Sequence, residues 1–269
     1  MTYFRLLLVT AGICCYTLAG AQRLPEELDT LPPTTAHYLQ QPAERANIHR
    51  PTLCGLLVPG AMLTYGFVAL GNHTLKDFNY STKKELWEDH PNFSTSIDNY
   101  LQWSPVAAVY LLNLAGAHGE HNFRDRTIIY GMSTLIMAST VKVLKRVTHE
   151  ERPDGSNYES FPSGHTATAF AAAEFMRMEY QHSQPLLSMT GYIAAAATGT
   201  LRMYNNRHWF SDIAGGAGLG ILSTQAAYAL YPVVKRHLFR SREHSSALLM
   251  PYYDPELKTA GCKLLVLSK

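Results

Sequence analysis

Charge and cysteine are what this 269-residue chain has least of. Only 23 basic and 21 acidic residues are present, 16% of the total, against about a quarter in an ordinary soluble domain. The net charge of +2 gives nucleic acid no electrostatic reason to bind. Four cysteines are too few for a disulfide scaffold. Cys14 and Cys15 fall in a leader, and Cys54 and Cys262 are far apart with no CxxC spacing, so neither a zinc site nor a redox motif is readable. The apolar share of 46% excludes disorder. What remains is a helix-rich chain, in a membrane or tightly packed.

Residues 1–21 read as a secretory signal: Arg5 is the only charge, Leu6 to Leu18 is apolar, and Ala19-Gly20-Ala21 offers a small-residue cleavage site. An uncleaved anchor is the alternative; a lipoprotein reading at Cys14 is weakened by Ile13 before it. Residues 22–52 are polar and punctuated by Pro25, Pro32, Pro33, Pro42 and Pro51, as expected of an extended arm. Apolar stretches then recur at Leu53–Gly71, Pro105–His118, Thr127–Leu144, Thr166–Tyr180, Leu186–Met203 and Ile213–Tyr231. Their lengths suit helices, and the alternation of a strand is absent. The expected fold is an all-α bundle of about six core helices over residues 53–231, with a polar insert at 72–104 and a basic tail at 232–269.

Membrane spans would number five or six, since a span needs ~20 predominantly apolar residues. Glu174, Arg177 and Glu179 inside the fourth stretch would be costly against lipid. Alanine and glycine in the last two stretches suit close-packed membrane helices and a dense soluble bundle alike.

Three short strings sit at the ends of these stretches. Lys145 and, seven residues on, Arg152-Pro153 offer a point charge and a planar fork for phosphate oxygens; alone they could equally cap a helix dipole, with Lys142 and Arg146 beside them. Pro162-Ser163-Gly164-His165 places free N–H groups and an imidazole at a helix start, where a plain serine N-cap would look the same. Arg202, His208 and Asp212 complete the set. His208 and Asp212, four apart, share a helix face, and a carboxylate on one imidazole nitrogen leaves the other bare and nucleophilic. Taken singly, that pair is a surface ion pair.

Together and in this order, Lys145-x6-Arg152-Pro153, Pro162-Ser163-Gly164-His165 and Arg202-x5-His208-x3-Asp212 resemble the tripartite signature of the type 2 phosphatidic acid phosphatase (PAP2) superfamily, bacterial envelope lipid phosphatases above all. One departure is Leu201, where the family usually has serine; it touches substrate fine-tuning, not the reaction. The resemblance implies that His208 is a phosphorus-attacking nucleophile supported by Asp212, and that His165 is the general acid and then base. Lys145, Arg152, Ser163, Gly164 and Arg202 would hold phosphate, with no metal and no cofactor. Two apolar stretches separate the second string from the third, so all three meet at one end of the bundle.

The resemblance leads to a phosphorylated lipid as substrate (lipid A, undecaprenyl diphosphate or phosphatidylglycerol phosphate), in a bacterial inner membrane with the site toward the periplasm. Lys235, Arg236, Arg240 and Arg242 would keep the tail inside, and glycines and Pro59 in Leu53–Gly71 favour a re-entrant or surface-lying helix there. Three readings compete: a soluble periplasmic acid phosphatase of the same superfamily, a vanadate-dependent haloperoxidase, and a scaffold without activity. His118-Gly-Glu-His121 looks faintly metal-binding, with too few ligands to count as a site. Asn72, Asn79 and Asn92 head glycosylation sequons, which matter only in a eukaryotic source.

Overall fold

A computed structural model describes residues 53–88, 90–91, 93–239, 246–254 and 259–267. The expected leader and arm lie outside these residues. Eight α-helices follow in order: α1 (Leu53–Gly71), α2 (His73–Lys83), α3 (Asp98–Leu101), α4 (Ser104–Leu114), α5 (Phe123–Thr148), α6 (Gly164–Tyr180), α7 (Pro185–Tyr204) and α8 (Phe210–Leu238), with a π-turn at Lys84–Glu88 after α2. The all-α reading of the core holds. Chain contacts divide the protein into two units, one through Ala229 and one from Leu230 onward.

In the first unit, α6 is the axis. From Thr166 to Tyr180 every residue except Phe170 is buried. Five alanines of α6 (Ala167, Ala169, Ala171, Ala172 and Ala173) are at most 1% exposed, and small side chains let neighbouring helices come close. Glycines of α8 answer them: a Cβ on Gly216 would meet the Ser163 carbonyl, and one on Gly220 the carbonyl of Ala167. Backbone-to-backbone packing of this kind tolerates no added methyl.

The charges that would be costly in lipid are inside. Arg177 donates from Nε (2.8 Å) and Nη2 (2.7 Å) to the Glu174 carboxylate. Gln225 Nε2 also donates to Glu174 (2.9 Å), as does the Tyr192 hydroxyl. Glu179 accepts from the Tyr228 hydroxyl (2.7 Å) and the His121 amide (3.1 Å), with Arg126 Nε at 3.7 Å. Buried polar groups are stable only when partnered in this way.

One described helix, α5, is long and apolar enough to cross a membrane; α1 and α2 together, bent by 99° at their junction, make up to two. That is fewer than the five or six spans expected. Polar and charged residues lower the hydropathy of the inner helices, whereas α4, α5 and α7 turn apolar side chains outward, with Leu114 84%, Leu135 72% and Leu186 88% exposed. α1 runs unbroken from Leu53 to Gly71 through Pro59, and the bend comes after the first stretch, not within it.

The second unit holds an addition to the expected tail. Strands β1 (Ser246–Asp254) and β2 (Thr259–Leu267) pair antiparallel, with Ser246 opposite Leu267 and Asp254 opposite Thr259.

Candidate active site

The expected insert builds one wall of the site. Asn72 caps α2, its side chain accepting from the Leu75 amide (3.1 Å). On the same helix, Asn79 is buried, donates from Nδ2 to the Ser211 hydroxyl (2.8 Å), and accepts from the Ser211 amide (3.2 Å). Its sequon is therefore closed to a glycan. Helix α3 follows and brings Asp98 and Asn99 against two signature residues, as described below.

The first string straddles the end of α5. His149 stops that helix in the left-handed region (φ 47°), a conformation common at helix C-termini. Lys145, in the last turn, donates to the Glu159 carbonyl. The loop after it is pinned at three points: the Arg152 amide donates to the Asn157 carbonyl (3.0 Å), the Ser160 amide to the Glu150 carbonyl (3.0 Å), and Trp209 Nε1 to the Glu151 carbonyl (2.8 Å). Glu150 and Glu151, to which the sequence assigns no step, thus contribute backbone to the frame.

Ser163 is the N-cap of α6, its hydroxyl accepting from the Thr166 amide (3.4 Å). The first bond of the helix runs from the Ala167 amide to the Ser163 carbonyl (3.0 Å). The amides of Gly164 and His165 precede it, where helix N–H groups have no intrahelical acceptor and favour an anion. The Ser163 amide donates to the Asp212 carbonyl (3.1 Å), so the second and third strings touch directly.

In the third string, Arg202 ends α7 and Asp212 opens α8, with His208 in the loop between. Asp212 Oδ2 accepts from the Ser160 hydroxyl (2.5 Å) and the Trp209 amide (2.9 Å). His208 Nδ1 stands 3.5 Å from the same oxygen, longer than a formed hydrogen bond and short enough for one to close when the ring is charged. Both side chains are buried.

The eight expected residues come to one end of the bundle. Lys145, Gly164 and His165 line a cavity of about 440 Å³, together with Met137, Val141 and Lys142. His208, Asp212 and Arg202 do not line it and are buried. The Nε atoms of Arg152 and Arg202, His208 Nδ1 and Asp212 Oδ1 are all buried without a partner. Buried polar atoms are seldom left so unless something else binds there.

The site's charges act on one another, and the groups concerned lie outside the apolar stretches. Burial, then the cations Arg202, Lys145 and Arg152, push His208 well below the ordinary imidazole value, so the ring is neutral at pH 7. Burial raises Asp212 to about 6, against the pull of Ser160, the Trp209 amide and nearby cations; it is still mostly ionised at pH 7. Burial and Arg202 lower His165, while Asp98 works in the other direction. A buried neutral imidazole among fixed cations is chemically suited to attack an anion that those cations hold.

Among the described residues no group of three or more His, Cys, Asp or Glu side chains is placed to hold a metal ion. His121 instead meets Glu179, with Nδ1 2.8 Å from Oε1, and His118 is exposed.

A lipid A 1-phosphatase of Porphyromonas gingivalis is 29% identical over 223 residues, which is 82% of this chain and 47% of that protein. The chain thus spans about half the length of that curated relative. Two crystal structures are similar: Aquifex aeolicus LpxE (17% identity, TM-score 0.43, 56% of this chain and 94% of that one) and the first transmembrane PAP2 type phosphatidylglycerolphosphate phosphatase from Bacillus subtilis (18%, 0.40, 69% and 99%). The PAP2 superfamily model matches residues 126–236, the interval that holds all eight signature residues.

Proposed function

We propose that the protein is a metal-independent phosphatase that removes phosphate from a lipid phosphate through a phosphohistidine. The observation that carries this reading is the set of unpartnered buried donors, Nε of Arg152 and Nε of Arg202, beside a neutral buried imidazole. Lys145, Arg152 and Arg202, with the amides at Gly164 and His165, hold the phosphate oxygens. His208 faces Asp212 through Nδ1, which leaves the Nε2 lone pair to attack phosphorus. As the N–P bond forms, the bond to the leaving oxygen breaks, and His165 gives that oxygen a proton.

Burial and Arg202 hold His165 below the ordinary imidazole value. A bound dianion adds negative charge beside it and restores the proton the step needs. In the second half His165 takes a proton from water, whose oxygen attacks phosphorus; the N–P pair returns to His208 and inorganic phosphate leaves. Positioning and charge neutralisation carry most of the acceleration in phosphoryl transfer, and three fixed cations supply the charge.

For the substrate, the cavity beside His165 has an apolar wall at Met137 and Val141 and a basic edge at Lys142, which suits an amphiphile. Lipid A is the first choice among lipid A, undecaprenyl diphosphate and phosphatidylglycerol phosphate, because the relative from Porphyromonas gingivalis is a lipid A 1-phosphatase. The outward apolar side chains of α4, α5 and α7 form the large exposed surface that lipid covers. We place the protein in a bacterial inner membrane, its site toward the periplasm. The second reading, a soluble periplasmic acid phosphatase, is favoured by the single unbent helix that meets the spanning criterion. The burial of Glu174, Arg177 and Glu179 removes what had been its other support.

The test is phosphate release by purified full-length protein in detergent with excess EDTA. A long-chain lipid phosphate is compared with p-nitrophenyl phosphate, with His208→Ala as blank. Preferred turnover of the lipid is expected. Complete loss in EDTA would sink the metal-independent mechanism, and equal or better turnover of the soluble ester would favour the acid phosphatase.

A further inference from the structure

Helix α3 lies near the end of the polar insert, more than forty positions before the first signature residue, and belongs to none of the three strings. Asp98 on it is 1% exposed and its Oδ2 accepts from Arg202 Nη1 at 2.8 Å. Its neighbour Asn99 places Oδ1 2.8 Å from His165 Nε2. Two consecutive residues therefore contact one residue of the phosphate clamp and one of the acid–base machinery.

The two contacts differ in what they fix. A guanidinium has two edges, and an anion can use only what other partners leave. Asp98 occupies Nη1 of Arg202, while Nε on the other flank is buried without a partner. Rotation of the fork would expose a different pair of donors, and the carboxylate resists that rotation. An amide oxygen only accepts, so the contact with Asn99 makes His165 Nε2 the donor and leaves the lone pair of the neutral ring on Nδ1. The nitrogen left to exchange a proton is then Nδ1.

The surroundings give a short helix the stiffness such a role needs. Gln102 donates from Nε2 to the Asn99 carbonyl (2.9 Å) and lines the cavity beside His165. The Thr95 amide and carbonyl are both bonded to the Asn205 side chain, at 3.0 and 2.9 Å, which ties the approach to α3 to the end of α7. His165 is faced by Arg202 from α7, Asp98 from α3, Arg152 from the loop and Lys145 from α5, with Asp98 the one negative charge among them.

We propose that Asp98 and Asn99 are positioning residues of the active centre: Asp98 holds the Arg202 fork with its Nε edge toward the phosphate, and Asn99 fixes the proton of His165 on Nε2 so that transfer runs through Nδ1. The proposal rests on the phosphatase reading above and adds to it the part of the chain that arranges two of its groups.

Four variants of the full-length protein in detergent test it: Asp98→Ala, Asp98→Asn, Asn99→Ala and Asn99→Asp. Each is assayed for kcat, KM and pH dependence on p-nitrophenyl phosphate and on a lipid phosphate. Asp98→Ala is expected to lower kcat/KM by roughly tenfold to a hundredfold, less than the loss of a transition-state donor itself, because Arg202 remains but is no longer held. Asp98→Asn keeps an oxygen for Nη1 and should recover most of that loss. Asn99→Ala is expected to lower kcat about tenfold with little change in KM, as loss of an oriented acid does. Asn99→Asp puts a carboxylate on the ring, so the limb set by protonated His165 should move to higher pH.

Helicity and thermal unfolding show whether each variant is folded. Folded variants with unchanged kcat, KM and pH limbs would overturn the proposal. So would lowered thermal stability with kcat/KM per folded molecule and the pH profile both unchanged, the mark of a purely structural role. Should wild-type protein release no more phosphate than His208→Ala, the phosphatase reading itself fails, a result distinct from either.

Discussion

The two ends of α6 are both buried and both charged, yet they are finished differently. At its C-terminal end, Glu174, Arg177 and Glu179 are engaged from several sides: Arg177 and Gln225 on Glu174, with Tyr228, His121 and Arg126 on Glu179. At its N-terminal end, donors on Arg152 and Arg202, and atoms of His208 and Asp212, are buried and open. Charge inside a protein is costly in either place. At the C-terminal end the charged groups have compensated the cost within the fold, although Gln225 Oε1 beside them is buried without a partner. The open end leaves its compensation to whatever binds there, and the partner its cations select is an anion. Burial and charge alone therefore do not distinguish a structural network from a site; whether the ionisable groups themselves are left with open atoms does.

The largest effect expected is at the open end. His208→Ala should abolish release of the leaving group, because on the proposed mechanism it removes the nitrogen that attacks phosphorus. Asp212→Asn should leave a small residual rate, since the neutral amide still occupies the place beside Nδ1 but cannot stabilise the charged ring. Single-turnover release of the alcohol measures both. Equal and mild losses would mean that His208 is not the nucleophile, and the contrast between the two ends would lose its meaning. Asp212→Asn keeps an oxygen for the Ser160 hydroxyl and the Trp209 amide, so its cost should fall on rate more than on stability.

The saturated end should behave in the opposite way. Glu179→Ala leaves Arg126, 1% exposed, without its carboxylate, and removing one partner of a buried ion pair costs about 3–5 kcal/mol. Thermal unfolding in detergent should show a large drop, with kcat per folded molecule unchanged. A fall in kcat at full stability would instead make the far end part of the catalytic apparatus. Substituting the network wholesale with apolar residues of like volume should be milder than the single change.

Much of this was legible from residue pattern. The stretch Leu53–Gly71 is α1 to the residue, and Thr166–Tyr180 falls within α6, because a long apolar run bounded by polar or glycine residues has few other solutions. The meeting of three strings at one end followed from counting helices. Asp98 and Asn99 were not legible: their partners are 104 and 66 positions away, and a polar insert reads as solvent-facing loop. Asn79 misled for the same reason, since a sequon suggests exposure and the side chain bonds Ser211 instead. The hairpin of β1 and β2 was hidden by the basic residues just before it, and the partners at the C-terminal end of α6 are spread over five segments that no local motif links.

The smallest effect should fall on the hydrogen bond that sharpens the contrast most closely. Ser160 donates to Asp212 Oδ2 at 2.5 Å and holds down a carboxylate that burial has lifted to about 6. Donation to the charged form favours that form, so Ser160→Ala removes a stabiliser of the anion and the Asp212 value rises further. Asp212 supports His208 only while ionised. Activity is therefore full above that value and is lost as pH falls through it, and the variant should lose activity at a higher pH than the wild type. At pH 8 the two enzymes should differ little. The pH dependence of kcat/KM on p-nitrophenyl phosphate from pH 4.5 to 8.5 reads the shift directly. An unmoved acid limb would mean that Ser160 contributes packing and that another group sets the ionisation on which His208 depends.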